Sequence, residues 1–169
     1  ICENAAADEV QMLSIHGRTV EQKYKDTADW ETIAQVKRKF PHLCIFGSGD
    51  IRMAQTAIDR LRSSGVDGII VARGAIGNPW IFQEIRALWE GRLMPPPTLA
   101  QQKQAMLEHF QMILDFWPPR KAVPYFRKFA VGYCRRHPQR KQTLLALMQA
   151  RTVQQVLDTI HQYYKEDGG

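Results

Sequence analysis

Cysteine is scarce in this 169-residue sequence: Cys2, Cys44 and Cys134 are its only three, and they lie far apart. That number and spacing provide neither a disulfide framework nor the ligand pairs of a metal site, and they are typical of a reducing cytoplasm. No run of about 20 apolar residues is present, so we expect no transmembrane helix and no membrane partner. The first residues show neither an initiator methionine nor a basic-then-apolar signal, which suggests a longer parent chain.

Acidic residues are scarce only in the second half of the sequence. Residues 1–94 contain 12 Lys/Arg and 12 Asp/Glu, whereas residues 95–169 contain 11 Lys/Arg and only 5 Asp/Glu. The whole net charge of +6 therefore comes from the second half. Such an asymmetry indicates a nucleic acid or an anionic surface as the partner of that half.

Three short apolar runs, at residues 12–15, 43–46 and 68–71, are each followed by a segment of helical periodicity. Short apolar strands separated by helices are typical of a parallel sheet with right-handed crossovers. Three strands cannot close a barrel and leave two unpaired edges. Residues 1–94 are therefore predicted to be an α/β domain whose N-terminal strands are missing from this sequence.

Glycine-rich segments follow the second and third predicted strands, at residues 47–51 and 71–80. A strand, a glycine-rich turn and a helix start can gather backbone N–H groups around a phosphate. Arg73 adds a permanent cation, and Pro79 at a first helical position would fix the start of the next helix. Two such neighbouring loops often share one phosphate in (β/α)8 barrels. The alternative is a pair of ordinary connections whose glycines serve only the turns.

Polar candidates also stand at the predicted strand ends. His16 and Arg18 follow the first strand, where barrel enzymes place their sites, although a histidine there is as often structural. Asp50 could cap a helix or accept a hydrogen bond from a ligand. No nucleophile–base set and no paired carboxylates are apparent, so a bound cofactor would have to carry any chemistry.

A proline-rich linker at residues 91–98 precedes a predicted bundle of four amphipathic helices. Thr98 caps the first helix, whose apolar face extends to Trp117. The others are predicted at about residues 122–135, 144–148 and 153–164, the last after a cap at Thr152.

A basic cluster without any acid lies within this helical region. Its cations can neutralise RNA phosphates, and we favour that role over a merely solvated face. Four aromatic residues are interleaved; their helical spacing favours core packing over base stacking. The predicted RNA-binding residues are Arg120, Lys121, Arg127, Lys128, Arg135, Arg136, Arg140 and Lys141.

Three motifs, in order and at suitable spacing, resemble those of the tRNA-dihydrouridine synthases: residues 15–19 (IHGRT), 47–51 (GSGDI) and 72–82 (ARGAIGNPWIF). The resemblance implies an FMN-binding (β/α)8 TIM barrel followed by a helical tRNA-binding domain. It also implies reduction of uridine to dihydrouridine in tRNA, with NADPH as the reductant. Residues 1–94 would then supply the last three barrel strands, and residues 95–169 the small helical bundle.

The resemblance also implies a set of cofactor-binding residues. Ser48 stands where the family usually has Asn, and Ala72 stands where it usually has Gly. The family's catalytic cysteine, in an Asn-x-x-Cys-Pro motif, has no counterpart here, so we expect no catalytic residue in this chain and no activity from it alone. The predicted cofactor-binding residues are His16, Ser48, Gly49, Asp50, Ala72, Arg73 and Gly74.

Two alternatives remain open at this point. One is another FMN barrel oxidoreductase that acts on a small molecule, which the basic helical region argues against. The other is a non-catalytic RNA-binding module that retains half a barrel.

Overall fold

The structure of the protein is a computed structural model, and it describes residues 2–7, 10–22 and 25–165. The chain forms two compact units. The first consists of Ile1–Ala75 and Trp80–Met94, and the second consists of Ile76–Pro79 and Pro95–Gly169.

The described part of the first unit is built around a parallel sheet of three strands in the order β1-β2-β3. Helices separate the strands, as the sequence predicts. In chain order the elements are α1 (Cys2–Ala7), β1 (Met12–His16), α2 (Trp30–Lys39), β2 (Cys44–Ser48), α3 (Ala54–Ser64), β3 (Gly68–Ile70) and α4 (Ile81–Trp89).

The core of this unit lies between β2 and the helices α2 and α3. Asp29 begins α2 by accepting the backbone N–H of Thr32 at 2.9 Å, which satisfies one of the free donors of the first turn. Ile33, Ile45 and Ala57 are then fully buried against one another. Burial of this apolar surface stabilises the packing of the helices on the sheet and so fixes the positions of the strand ends.

The strand β2 extends two residues beyond its prediction, through Gly47 and Ser48. Gly47 pairs with Ile15, and Ser48 pairs with His16, in the parallel register of β1 and β2. A side chain at Gly47 would meet the ring of Trp30, so glycine permits the close packing of α2. The extension brings Ser48 directly beside His16.

The helix α4 begins later than the sequence predicts. Its first residue is Ile81 and its N-cap is Trp80, so the prediction of Pro79 as a first helical residue is wrong. Residues 71–80 form a series of turns instead, one of which is closed by the Ala75 N–H to the Ala72 carbonyl at 3.0 Å.

In the second unit, the described residues form four α-helices and one short 3-10 helix. The predicted capping residues are confirmed: Thr98 and Thr152 both form capping boxes with a glutamine three residues later. Its elements are α5 (Leu99–Phe116), α6 (Pro119–Tyr133), a 3-10 helix (Cys134–Arg136), α7 (Arg140–Gln149) and α8 (Val153–Tyr163).

The segment Ile76–Pro79 packs on α6 within this second unit. Gly77 has a φ of +62°, and a Cβ there would lie less than 3.0 Å from the Phe129 carbonyl oxygen. A Cβ on Gly132 would likewise collide with the Ile76 carbonyl oxygen. Backbone therefore lies against backbone at this crossing, and only glycine fits on either side.

Replacing Gly132 with alanine is expected to lower the free energy of unfolding of the 169-residue chain by ~1–3 kcal/mol, because the added methyl group overpacks the crossing. Helix propensity alone predicts the opposite sign, a stabilisation of about 1 kcal/mol. Urea unfolding of Gly132→Ala measures the difference. Val131→Ala, a neighbouring exposed position, is the control and should change stability by less than ~0.5 kcal/mol. A more stable Gly132→Ala variant would contradict the close approach.

Two kinds of feature are absent from the described part of the chain. None of its helices combines the length and the apolar character needed to cross a membrane. No three His, Cys, Asp or Glu side chains among the described residues are grouped so as to hold a metal ion.

Candidate functional site

An open pocket of about 120 Å³ lies at the carboxyl edge of the sheet, where all three parallel strands end. This volume exceeds the ~10–15 Å³ that a single water needs. Ile51, Arg52 and Ile70 contribute to the pocket lining. Gly74, a predicted cofactor-binding residue, is not part of the lining but directly follows Arg73, which is. Six of the predicted cofactor-binding residues line the pocket: His16, Ser48, Gly49, Asp50, Ala72 and Arg73.

The side chains of His16 and Ser48 meet on one side of the pocket. His16 Nδ1 lies 3.2 Å from Ser48 Oγ, and the Gly17 N–H donates to the Ser48 carbonyl at 3.0 Å. Ser48 therefore has a side-chain partner inside the chain. Its hydroxyl fixes the orientation of the imidazole ring at the pocket wall.

Asp50 links two arginines at the centre of the site. Its Oδ2 accepts hydrogen bonds from Arg18 Nη2 at 2.5 Å and from the Ala28 N–H at 2.9 Å. Its Oδ1 accepts a hydrogen bond from Arg73 Nη2 at 3.1 Å. Asp50 also has a φ of +51°, a conformation that aspartate adopts more readily than most residues. Its carboxylate thus fixes both the loop and the two guanidinium groups.

Asp50, Arg18 and Arg73 form a triad of charged side chains, and the two arginines keep Asp50 ionised. Burial by itself would raise the pKa of Asp50, but hydrogen bonds from Arg18 and Ala28 and the charges of Arg18 and Arg73 together lower it. Two guanidinium groups and one carboxylate leave a net charge of +1. The site is therefore suited to an anion, and Asp50 acts as a counter-ion rather than as a helix cap.

Arg18 is a polar candidate at the end of the first strand by sequence, but it is not among the predicted cofactor-binding residues. Its side chain is only 3% exposed, and it lies behind Asp50 and outside the pocket lining. Arg18 Nη2 also donates to the Asp26 carbonyl at 2.7 Å, while Arg18 Nε and Nη1 are buried without a hydrogen-bond partner. The only sequence signal for Arg18 is its position two residues beyond a strand end.

Glycines allow the two loops of the pocket to pack closely. A Cβ on Gly74 would lie less than 3.0 Å from the Ile51 carbonyl oxygen, and Gly49, with a φ of +141°, has Ala28 equally close. Ala72 is different, because the only non-glycine residues with positive φ among those described are Asp26 and Asp50. The extra methyl group at Ala72 is thus compatible with the loop.

The predicted RNA-binding cations lie on the second unit. Four are on α6, two on the 3-10 helix, and Arg140 and Lys141 begin α7. All are exposed except Arg127, which is half-buried and donates to the Ala150 carbonyl at the end of α7. That bond gives Arg127 a structural role besides its predicted one. No acid occurs between Asp115 and Asp158 in the sequence.

The interleaved aromatic residues divide into two groups. Phe126 and Tyr133 are 1% and 4% exposed, as expected for core packing, whereas Tyr125 is 39% exposed. Trp117 is 42% exposed, so the prediction that it continues the apolar face of α5 is wrong. It is the C-cap of α5, and its extended backbone (φ −127°, ψ 137°) turns it out of the helical phase.

The described residues thus form a parallel α/β unit with a basic pocket at the carboxyl edge of its sheet and a helical unit that is rich in exposed cations. The chain belongs to the dihydrouridine synthase family, whose model matches residues 1–167.

Curated relatives agree with this assignment. The chain is 35% identical over 156 residues to "tRNA-dihydrouridine synthase B" of Xanthomonas campestris pv. campestris, a match that covers 92% of this chain and 47% of the relative. It is 31% identical to a "probable tRNA-dihydrouridine synthase" of Mycobacterium leprae, covering 90% of this chain and 40% of the relative. It is 39% identical over 132 residues to one from Rickettsia conorii, covering 76% and 39%. The chain thus spans less than half the length of these relatives.

Proposed function

We propose that this chain works as part of a flavin-dependent enzyme that reduces uridine to dihydrouridine in tRNA. The observation that carries the proposal is the family match over residues 1–167. The names of the relatives supply the substrate class. The proposed reaction takes place in the cytoplasm, where tRNA is found and cysteines such as Cys44 and Cys134 stay reduced.

Residues 1–94 are proposed to form the last three strands of a (β/α)8 barrel, and residues 95–169 a tRNA-binding helical domain. Two observations support this division. The chain corresponds to less than half the length of the relatives. Within the described residues, β1 and β3 each pair on one side only, and a parallel sheet of this size leaves backbone donors and acceptors unpaired at both edges.

The residues of the pocket fit FMN through its phosphate group. The glycine-rich loops at 47–50 and 72–75 are neighbours, since Gly74 lies against Ile51. One phosphate is proposed to bind between them, to backbone N–H groups and to the Arg73 guanidinium. Asp50 orients Arg73, and Ser48 orients His16. When bound, FMN supplies the hydride-transfer chemistry, with NADPH as the reductant. This chain contributes binding and orientation.

The catalytic cysteine is proposed to lie outside this chain. Cys44 begins β2 at the amino end of the strand, about 13 Å from the carboxyl end by strand geometry. Cys134 is buried in the helical unit. Neither of these described thiols lines the pocket, so the chain alone is expected to be inactive.

The proposal is tested by incubating unmodified tRNA with NADPH, FMN and the complete protein that carries this sequence. Mass spectrometry of the digested tRNA should detect dihydrouridine, and the 169-residue chain alone should produce none. Binding of tRNA without dihydrouridine formation by the complete protein would instead support the non-catalytic RNA-binding module. Turnover of a small molecule without tRNA would support the other kind of FMN barrel oxidoreductase.

The basic cluster yields a separate prediction for tRNA binding. Changing Arg140 and Lys141 to glutamate should weaken tRNA binding and flatten its salt dependence, by roughly 0.9 in the slope of log K against log salt for each phosphate that is no longer neutralised. Both residues are exposed in the first turn of α7, where acidic residues favour the helix, so the fold should be retained. Fluorescence anisotropy at several salt concentrations measures both quantities.

The matched control changes Arg62 and Arg86 to glutamate, which alters the net charge equally on exposed positions of α3 and α4. It should affect tRNA binding much less. Equal losses of affinity in the two double variants would mean that net charge alone, and not the cluster, determines affinity.

A further inference from the structure

A row of aromatic rings runs along one side of α5 and α6, and nothing in the cofactor site uses it. Trp117 and Tyr125 are 42% and 39% exposed, and their ring centroids are 6.4 Å apart. Tyr125 lies 5.6 Å from Phe129, which in turn lies 4.4 Å from the ring of His109. We call Trp117, Tyr125 and Phe129 the aromatic shelf. Its outer end is open to solvent, and its inner end is anchored in the helical core.

Two lysines lie against the exposed rings of the shelf. Lys121 Nζ is 5.1 Å from the centroid of the Trp117 ring, and Lys128 Nζ is 4.8 Å from that of Tyr125. Both are cation–π distances. The two lysines are seven residues apart on α6, which places them about 10.5 Å apart along one helical face. Each exposed ring therefore has its own cation.

Among the described residues of α5 and α6, acidic side chains occur on α5. Within the described residues, Asp115 accepts a hydrogen bond from Gln111, and Glu108 accepts one from Gln104. The helix α6, which carries both lysines, contains no acid. The charge that α6 places next to the rings is therefore positive.

We propose that the aromatic shelf binds an unpaired nucleobase of the RNA substrate, with Trp117 as the main stacking surface and Tyr125 beside it. This inference rests on the proposed tRNA substrate. Every base has a π-face that can stack on an aromatic ring, and unpaired bases in loops are the ones that proteins read in this way. Lys121 and Lys128 neutralise the phosphates of the stacked nucleotides. A duplex also has phosphates, but its bases are paired and are not free to stack on the rings.

Charge complementarity favours a nucleic acid over a protein as the occupant. A protein partner would bury an apolar patch whose core is depleted of charged residues. Here lysines alternate with the rings along α6, and the acid-free stretch from residue 116 to 157 continues beyond them. A polyanion that also carries flat, stackable groups matches this surface.

The test compares two labelled RNAs of equal length, one unstructured and one fully duplex, by fluorescence anisotropy with the 169-residue chain. Trp117→Leu should weaken binding of the unstructured RNA by about 5- to 150-fold, the range for loss of one stacked base. Binding of the duplex and the salt slope of both RNAs should stay unchanged. Trp117→Phe should restore part of the affinity, because it retains a smaller ring.

Phe116→Leu is the matched control. Phe116 precedes Trp117 and is 84% exposed, so it should have no effect on either RNA. Tyr125→Leu is a second, independent variant on α6 and should reproduce the effect of Trp117→Leu. Urea unfolding of each variant verifies that the fold is retained.

The outcomes separate the two claims. Wild-type affinity of both Trp117→Leu and Tyr125→Leu for the unstructured RNA overturns stacking and leaves the proposed tRNA substrate intact. Equal losses of affinity for the unstructured and duplex RNAs also overturn stacking, because they would result from a change in charge interactions or in folding that does not depend on unpaired bases. If the unaltered chain binds neither RNA, the proposed substrate fails together with the inference. A loss of self-association without a change in RNA binding would assign the shelf to a second copy of the chain.

Discussion

Replacing Asp50 with asparagine is expected to lower the free energy of unfolding by about 3 kcal/mol, because it leaves a buried charge without its counter-ion. Arg18 is only 3% exposed, and Asp50 Oδ2 is its carboxylate partner at 2.5 Å. Asparagine has nearly the same shape, so the variant removes charge while keeping the side-chain volume. Urea unfolding of the 169-residue chain at neutral pH measures the loss of stability.

The effect of Asp50→Asn should depend on pH. The pKa of Asp50 is lowered in the folded state, below an unfolded value of about 3.9. Its contribution to stability is therefore complete above that unfolded value and is lost as pH falls through the folded one. The difference between wild type and variant should shrink in acid. Asp59→Asn, an exposed position on α3, is the control. A difference that grows in acid, or an equal loss of stability in Asp59→Asn, would contradict the role of Asp50.

Replacing Arg73 with alanine is expected to weaken FMN binding by the complete protein by about 10- to 100-fold. This corresponds to removal of a hydrogen bond between charged groups, worth about 1.5–3 kcal/mol. Riboflavin, which lacks the phosphate, should bind the variant and the wild type equally well. Quenching of flavin fluorescence on titration with protein measures both affinities.

The control for Arg73→Ala is Arg62→Ala, which removes the same charge from an exposed position on α3, outside the pocket lining. FMN affinity should stay unchanged in the control. If Arg73→Ala reduces the affinities for FMN and riboflavin equally, then Arg73 supports the flavin by some interaction other than one with its phosphate.

The position of the pocket could be predicted from sequence, because parallel strands end at one edge and glycine marks the loops that approach each other. Gly49 and Gly74 show this directly, since each would collide with backbone or side chain if it carried a Cβ. The role of Arg18 could not be predicted. It depends on burial and on a partner 32 residues away along the chain, and neither leaves a local pattern.

The helical unit shows a different limit of sequence reasoning. Its charge and its helix caps follow from composition and from local motifs. The exposure of each aromatic residue does not, because one position along a helix rotates a side chain by about 100°. Tyr125 and Phe126 are neighbours, yet they are 39% and 1% exposed. Trp117 follows the apolar spacing of α5 but lies in the extended residue that ends it.

The most direct measurement of the proposed cofactor site is a crystal structure of the complete protein with FMN. The phosphate is expected between the loops at residues 47–50 and 72–75, within hydrogen-bonding distance of the Arg73 guanidinium and of backbone N–H groups. Arg18 should remain bonded to Asp50 behind the site. A phosphate bound away from both loops, with Arg73 in contact only with Asp50, would contradict the assignment of this pocket.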